Sequence, residues 1–287
     1  MLRHVLRACI LMSLTAAPFL AAPSAAAEPK YWRDGKSVPA VPNASWESGG
    51  KVTTVTGKDA VAKAPANAVK YTVQTVKWPS GLIKVLHFTK AGGGVLYTLT
   101  DETRFFIVKG SLKVTVDSTP TSMKAEDVGA ALTGVLRTAD APEDTMIVAW
   151  TGGPVSTDEP KPTVVRAENA SGDLGARAES GKPRPKDEGQ TKIRRYVFPG
   201  NSIRLAQMFP NRLSPPHTGP LDNFIYIIDG HIQYSEGGET YQAYGGDFLL
   251  QESGTVHEWD QKDGAKFLAS SVLPVGVKHR MEPSKAN

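Results

Sequence analysis

Sliding the chain against itself by 120 positions lays Thr75 to Trp150 on Arg195 to Ser270 without a gap. Nothing else in the sequence restricts the fold as strongly, because two copies that share turns and strand positions must share an architecture. Trp78-Pro79 falls on Phe198-Pro199 and Ile83 on Ile203. The segment FFIVKGSLKVTV from Phe105 falls on IYIIDGHIQYSE from Ile225, which puts Gly110 on Gly230. Glu126-Asp127 meets Gly246-Asp247, Gly134 meets Gly254, and Asp140 meets Asp260. Strict identities are few. The shared residues are turn glycines, turn aspartates and alternating apolar positions, all in one register.

Each copy reads as all-β. Ile83-Lys84-Val85, Leu112–Val116 and Ile203-Arg204-Leu205 alternate with period two. Runs such as Arg104–Val108 and Phe224–Ile228 are short and apolar, as for strands buried within a sandwich. Gly, Asp and Pro interrupt them every 8–12 residues or so, the rhythm of a double-sheet barrel or jelly roll.

The flanks differ in composition. Arg3, His4 and Arg7 precede an Ala- and Leu-rich run to about Ala22, and Ala25-Ala26-Ala27 offers a cleavage site, so residues 1–27 read as a signal peptide. A secreted, bacterial periplasmic protein is expected. Residues 28–66 are Pro-rich, with Tyr31, Trp32 and Trp46, and read as an arm packed across a barrel. The copies then occupy 67–154 and 191–287. Between them 155–190, with DEPKP and GKPRPKDEGQ, reads as an extended linker in which Val164-Val165 could add one strand to a sheet.

Composition narrows the function. The formal charge of +4 falls to about +2 without Arg3 and Arg7, and Lys and Arg alternate with Asp and Glu, so no nucleic acid is expected. No later apolar run approaches the roughly eighteen residues of a membrane span, so no membrane is expected. Cleavage also removes Cys9, the sole cysteine, leaving no disulfide, thiolate ligand or cysteine nucleophile. Gly92-Gly93-Gly94 lacks the GK[ST] of a phosphate loop, and no G-x-S-x-G elbow is present.

Around Gly230 and Gly254 the second copy resembles the cupin superfamily. That family places two histidines and an acid ahead of a Tyr-x-x-x-Gly strand end, then a Gly-Asp, a Pro-x-Gly turn and a third histidine. The four side chains hold one divalent metal inside the barrel. Here PPHTGPLDNFIYIIDG supplies His217, Asn223 and Tyr226, and GGDFLLQESGTVHEW supplies Gly246-Asp247, Gly254 and His257. The second histidine falls on Gly219, the acid on Asn223 and the turn proline on Glu252. In the first copy Tyr97, Leu99, Thr103 and Arg137 take the four positions, so it reads as a degenerate barrel that keeps the fold without the site.

The resemblance implies two tandem cupin-type double-stranded β-helix (jelly-roll) barrels. It implies a divalent metal (Zn, Mn, Fe or Ni) in the C-terminal barrel only, on His217, His257 and Asn223. Equally open is a hydrogen-bonded His pair without metal. If His257 faces inward, parity brings Thr255, Trp259 and Gln261 with it, and Trp259 offers a wall for a ring or sugar face. Of Arg204 and Gln207, at most one enters the pocket. Two functions follow. One is a metal-assisted enzyme on a small organic molecule, of lyase, isomerase or dioxygenase type, with Tyr234 moving the proton. The other is a non-catalytic small-ligand binder or sensor. Cupin-like barrels commonly pair through sheet edges, which a fused pair satisfies within one chain, so a monomer or weak homodimer is expected.

Overall fold

The computed structural model describes residues 31–32, 40–78, 81–88, 95–99, 103–116, 119–131, 134–140, 144–151, 163–174, 191–198 and 201–272. The expected signal peptide lies outside the described residues. Ahead of the first barrel come β1 (Tyr31–Trp32), β2 (Val41–Ser48), β3 (Lys51–Thr56) and a one-turn helix α1 (Ala60–Lys63). The barrel follows as β4 (Val69–Trp78), β5 (Gly81–Phe88), β6 (Val95–Leu99), β7 (Thr103–Lys109), β8 (Ser111–Val116), β9 (Thr119–Lys124), β10 (Val128–Ala131), β11 (Gly134–Asp140) and β12 (Thr145–Thr151). Two short strands, β13 (Thr163–Val165) and β14 (Ser171–Leu174), lead to the second barrel. That barrel contains β15 (Thr191–Phe198), β16 (Asn201–Met208), β17 (Arg212–Thr218), β18 (Asn223–Glu236), β19 (Glu239–Tyr244), β20 (Phe248–Gln251), β21 (Val256–Gln261) and β22 (Ala265–Val272).

The repeat is structural. Adding 120 to the bounds of β5, β9 and β10 gives those of β16, β19 and β20 residue for residue. The first barrel pairs its strands as β10-β7-β12-β5-β4 and β6-β11-β8-β9. The second repeats this order as β20-β18-β22-β16-β15 and β17-β21-β18-β19, where the long β18 does the work of β7 and β8. The turns match as well. The Asp127 carboxylate accepts the Lys124 amide at 2.9 Å, and that of Asp247 the Tyr244 amide at 2.8 Å. Gly110 and Gly230 stand at φ +81° and +85°, and a Cβ on Gly230 would lie 2.3 Å from the Gly264 carbonyl oxygen. A turn of this shape admits glycine alone.

The arms repeat too, and they cross over. β1 pairs with β20 of the second barrel, as Tyr31 opposite Leu249, while β13 pairs with β10 of the first, as Val164 opposite Gly129. β2 and β14 each return to the first strand of their own barrel, β4 and β15. The segment read as a linker thus contributes two edge strands, Val164 and Val165 among them. Each barrel's otherwise open sheet edge is covered by the other's arm.

Strand alternation explains why the barrels join. Phe105 and Ile107 of β7, and Ile225 and Ile227 of β18, fill their own barrels. The intervening Phe106, Phe224 and Tyr226 point out of the barrels and share one buried cluster with Trp78, Trp150, Tyr196, Phe248 and Leu268. The large sheets therefore pack back to back through faces, where edge pairing was expected. Phe224 sits edge-on between Trp78 and Trp150, with ring centroids 5.2 and 5.3 Å away. Polar contacts close the rim of this interface. The Tyr196 hydroxyl donates to the Glu126 carbonyl at 2.6 Å, and Arg194 and Lys266 both bond the Glu126 carboxylate. Burial alone would raise that carboxyl, but the two cations outweigh it and hold it below the ordinary range.

Phe224→Ala empties the centre of the shared cluster and is expected to cost about 3–5 kcal/mol. Scanning calorimetry on wild type should show one transition for both barrels; two resolved transitions would contradict the shared core.

Candidate functional site

On β16, Ile203 and Leu205 face the other barrel, which turns Ser202, Arg204, Ala206 and Met208 inward. β15 does the same with Tyr196 outward and Thr191, Ile193 and Arg195 inward. On the opposite sheet, Arg212, Ser214 and His217 of β17 and His257 and Trp259 of β21 face them. His217 shares the inward side with Ser214 because the strand bulges between them: Ser214 lies opposite Trp259 and His217 opposite His257. The Pro215-Pro216 pair supplies the extra residue. Together these side chains enclose a cavity of about 680 Å³ in the second barrel, floored by Trp259 and Phe267, whose rings stack at 5.7 Å. Its size is that of a small-molecule site.

His217 stands exposed at the mouth and His257 is buried below it, with ring centroids 4.4 Å apart. Each ring is oriented by its own strand. His217 Nδ1 donates to the Pro215 carbonyl at 2.9 Å, and His257 Nδ1 to the Thr255 carbonyl at 3.0 Å. In a neutral ring this contact selects the Nδ1–H tautomer, in which Nε2 is the acceptor. Burial, and to a smaller degree the neighbouring His217, holds the His257 imidazole below its ordinary 6.5.

The remaining expected site residues fall into other roles. Asn223 lines the cavity, but its Oδ1 accepts from the Ser271 hydroxyl at 3.1 Å and its amide donates to Gln251 Oε1 at 2.8 Å. This buried network occupies the oxygen that a metal would need. Asp222 is no substitute, since its carboxylate accepts the Ser253 amide at 2.9 Å. Tyr234 does not border the cavity. It packs 5.2 Å from Trp259 and 5.9 Å from His257, and burial next to Glu236 pushes its phenol far above the ordinary value. It serves packing and keeps its proton at neutral pH. Thr255 contributes its carbonyl to His257, and the buried Gln261 donates its amide to the His231 carbonyl; neither lines the cavity. His217, His257 and Trp259 do line it.

A resident divalent metal does not fit this donor set. Two imidazoles remain, the amide is engaged, and among the described residues no group of three His, Cys, Asp or Glu could hold an ion. In the first copy, β6, β7 and β11 carry Tyr97, Leu99, Thr103 and Arg137, whose side chains lie outside the described residues. What parity reasoning missed is the basic wall. Arg195, Arg204 and Arg212 all border the cavity, and no Asp or Glu does.

His257 is held neutral by the fold, so the unfolded chain binds more protons once pH drops below about 6.5. Stability is therefore full above that value and falls as pH decreases toward the lowered folded-state value. Melting curves from pH 7.5 to 5 should show this loss in wild type and a shallower loss in His257→Gln.

Comparison with known proteins bears on the same barrel. Residues 199–284 match the family model for the AraC-like ligand binding domain. Among curated proteins, none matches the chain. Several solved structures are similar in fold. AerE from Microcystis aeruginosa is 11% identical with a TM-score of 0.57, covering 74% of this chain and 95% of AerE. Protein Ylba from E. coli is 12% identical with a TM-score of 0.57, covering 72% and 85%. Oxalate decarboxylase from Lactobacillus farciminis, solved as a formate complex, is 12% identical with a TM-score of 0.54, covering 71% and 82%. At such identities the likeness establishes the fold and nothing finer.

Proposed function

We propose that this chain, a cupin of two fused jelly-roll barrels with an AraC-like ligand-binding domain at residues 199–284, binds a small organic molecule in its second barrel without a metal. The observation that carries the reading is the state of the polar groups around the cavity. Asn223 is tied to Ser271 and Gln251, while each histidine has spent its Nδ1–H on a carbonyl and turns an acceptor nitrogen to other partners. Such groups receive hydrogen bonds from a ligand hydroxyl or N–H. Trp259 and Phe267 supply a flat apolar floor for its carbon skeleton. The first barrel backs the wall opposite the mouth and keeps it rigid. The basic start and Ala- and Leu-rich run of the chain support action outside the cytoplasm, where the protein serves as a binder or sensor.

Metal analysis of protein purified without chelators tests this reading. Wild type and the double variant His217→Ala, His257→Ala are expected to carry equally negligible metal. Close to one equivalent in wild type, lost in the double variant, would overturn it.

A further inference from the structure

Arg195 and Arg204 lie directly opposite one another on β15 and β16, with both side chains in the cavity. Like charges at such positions repel, and burial adds a desolvation cost. A third guanidinium, Arg212, enters from the opposite sheet, and none of the residues around the cavity is acidic. Among the described residues, Arg204 meets no hydrogen-bond acceptor, and its Nε is fully buried. Three cations outside the cavity are neutralised in contact: Arg194 and Lys266 share Glu126, and Arg166 pairs with the buried Asp127 at 2.9 Å. The Arg204 guanidinium, set in a cavity wall that includes no acidic residue, is by contrast left available to a ligand.

Building on the ligand-binding reading above, we infer that the ligand of the second barrel is an organic acid, its carboxylate held by Arg204 between Arg195 and Arg212 and its planar body resting on Trp259 and Phe267. A guanidinium matches a carboxylate with two parallel N–H···O bonds, which a neutral amide cannot return. An apolar floor beside the arginines strengthens the charge-assisted pair and offers a ring or short chain contacts that a bare inorganic ion cannot use. The acceptor nitrogens of His217 and His257 favour an acid that also carries a hydroxyl.

Isothermal titration of 4-hydroxybenzoate against 4-hydroxybenzamide, and of benzoate against benzamide, tests the assignment on wild type and Arg204→Met. Each acid should bind wild type about ten-fold or more tightly than its amide, and the ratio should fall near one in the variant. Arg204→Gln stands in if the Met variant does not fold. Acid and amide bound equally by wild type would overturn the anion while leaving the cavity a ligand site. A preference that survives in the variant would overturn the role of Arg204. If none of the four probes binds, sulfate decides: a rise in melting temperature of wild type that the variant lacks supports the anion site. An equal rise in both, or none in either, overturns it.

Discussion

The back-to-back packing of the two large sheets is the constraint on which the rest of the molecule depends. Once Phe106, Phe224, Tyr226 and Trp150 must meet across the seam, the outward face of each large sheet is committed to apolar residues. The strands are then buried on both sides, and any polar group they carry at alternate positions has only the barrel interior to occupy. In the first barrel that interior is closed by Tyr71, Phe88, Phe105, Leu112 and Met123. In the second, Ala206, Ala269 and Ser271 leave room, and the space they leave is the cavity. One seam thus provides rigidity and decides where the polar chemistry goes.

The crossing arms extend the same logic. A two-residue strand such as β1 has little stability of its own, and it becomes worth ordering because β20 has an open edge to receive it. Since β13 does the same for β10, each half of the chain completes the other's sheet. Gln251, at the end of β20, reaches into the cavity and holds Asn223. The arm from the far end of the chain therefore borders the strand that positions the site.

Much of the fold was legible in the sequence. Gly110 and Gly230, Asp127 and Asp247, and the 120-residue spacing set turns and strands alike, because positive-φ turns and amide-capping carboxylates need those residue types. Direction was not legible. Period two in Ile203-Arg204-Leu205 separates two faces but cannot say which one meets a second barrel, so Arg204 read as an undecided position and Arg195 and Arg212 escaped notice. His217 came into line with Ser214 only through a bulge, which parity does not foresee. Asn223 kept the acid's place in the motif, but its engagement by Ser271 and Gln251 depends on residues remote in sequence. Resemblance to a metal-binding family located the cavity, while the donors at its ligand positions, two imidazoles and an engaged amide, do not fit a metal.

The Arg204 guanidinium, which meets no acceptor among the described residues, separates an anion receptor from a metal centre, and a crystal of the protein soaked in bromide reads it directly. Data collected at the bromine absorption edge should show an anomalous peak in the cavity within hydrogen-bonding reach of the Arg204 guanidinium. Bromide found only on the outer surface, or an intrinsic metal signal between His217 and His257, would contradict the account.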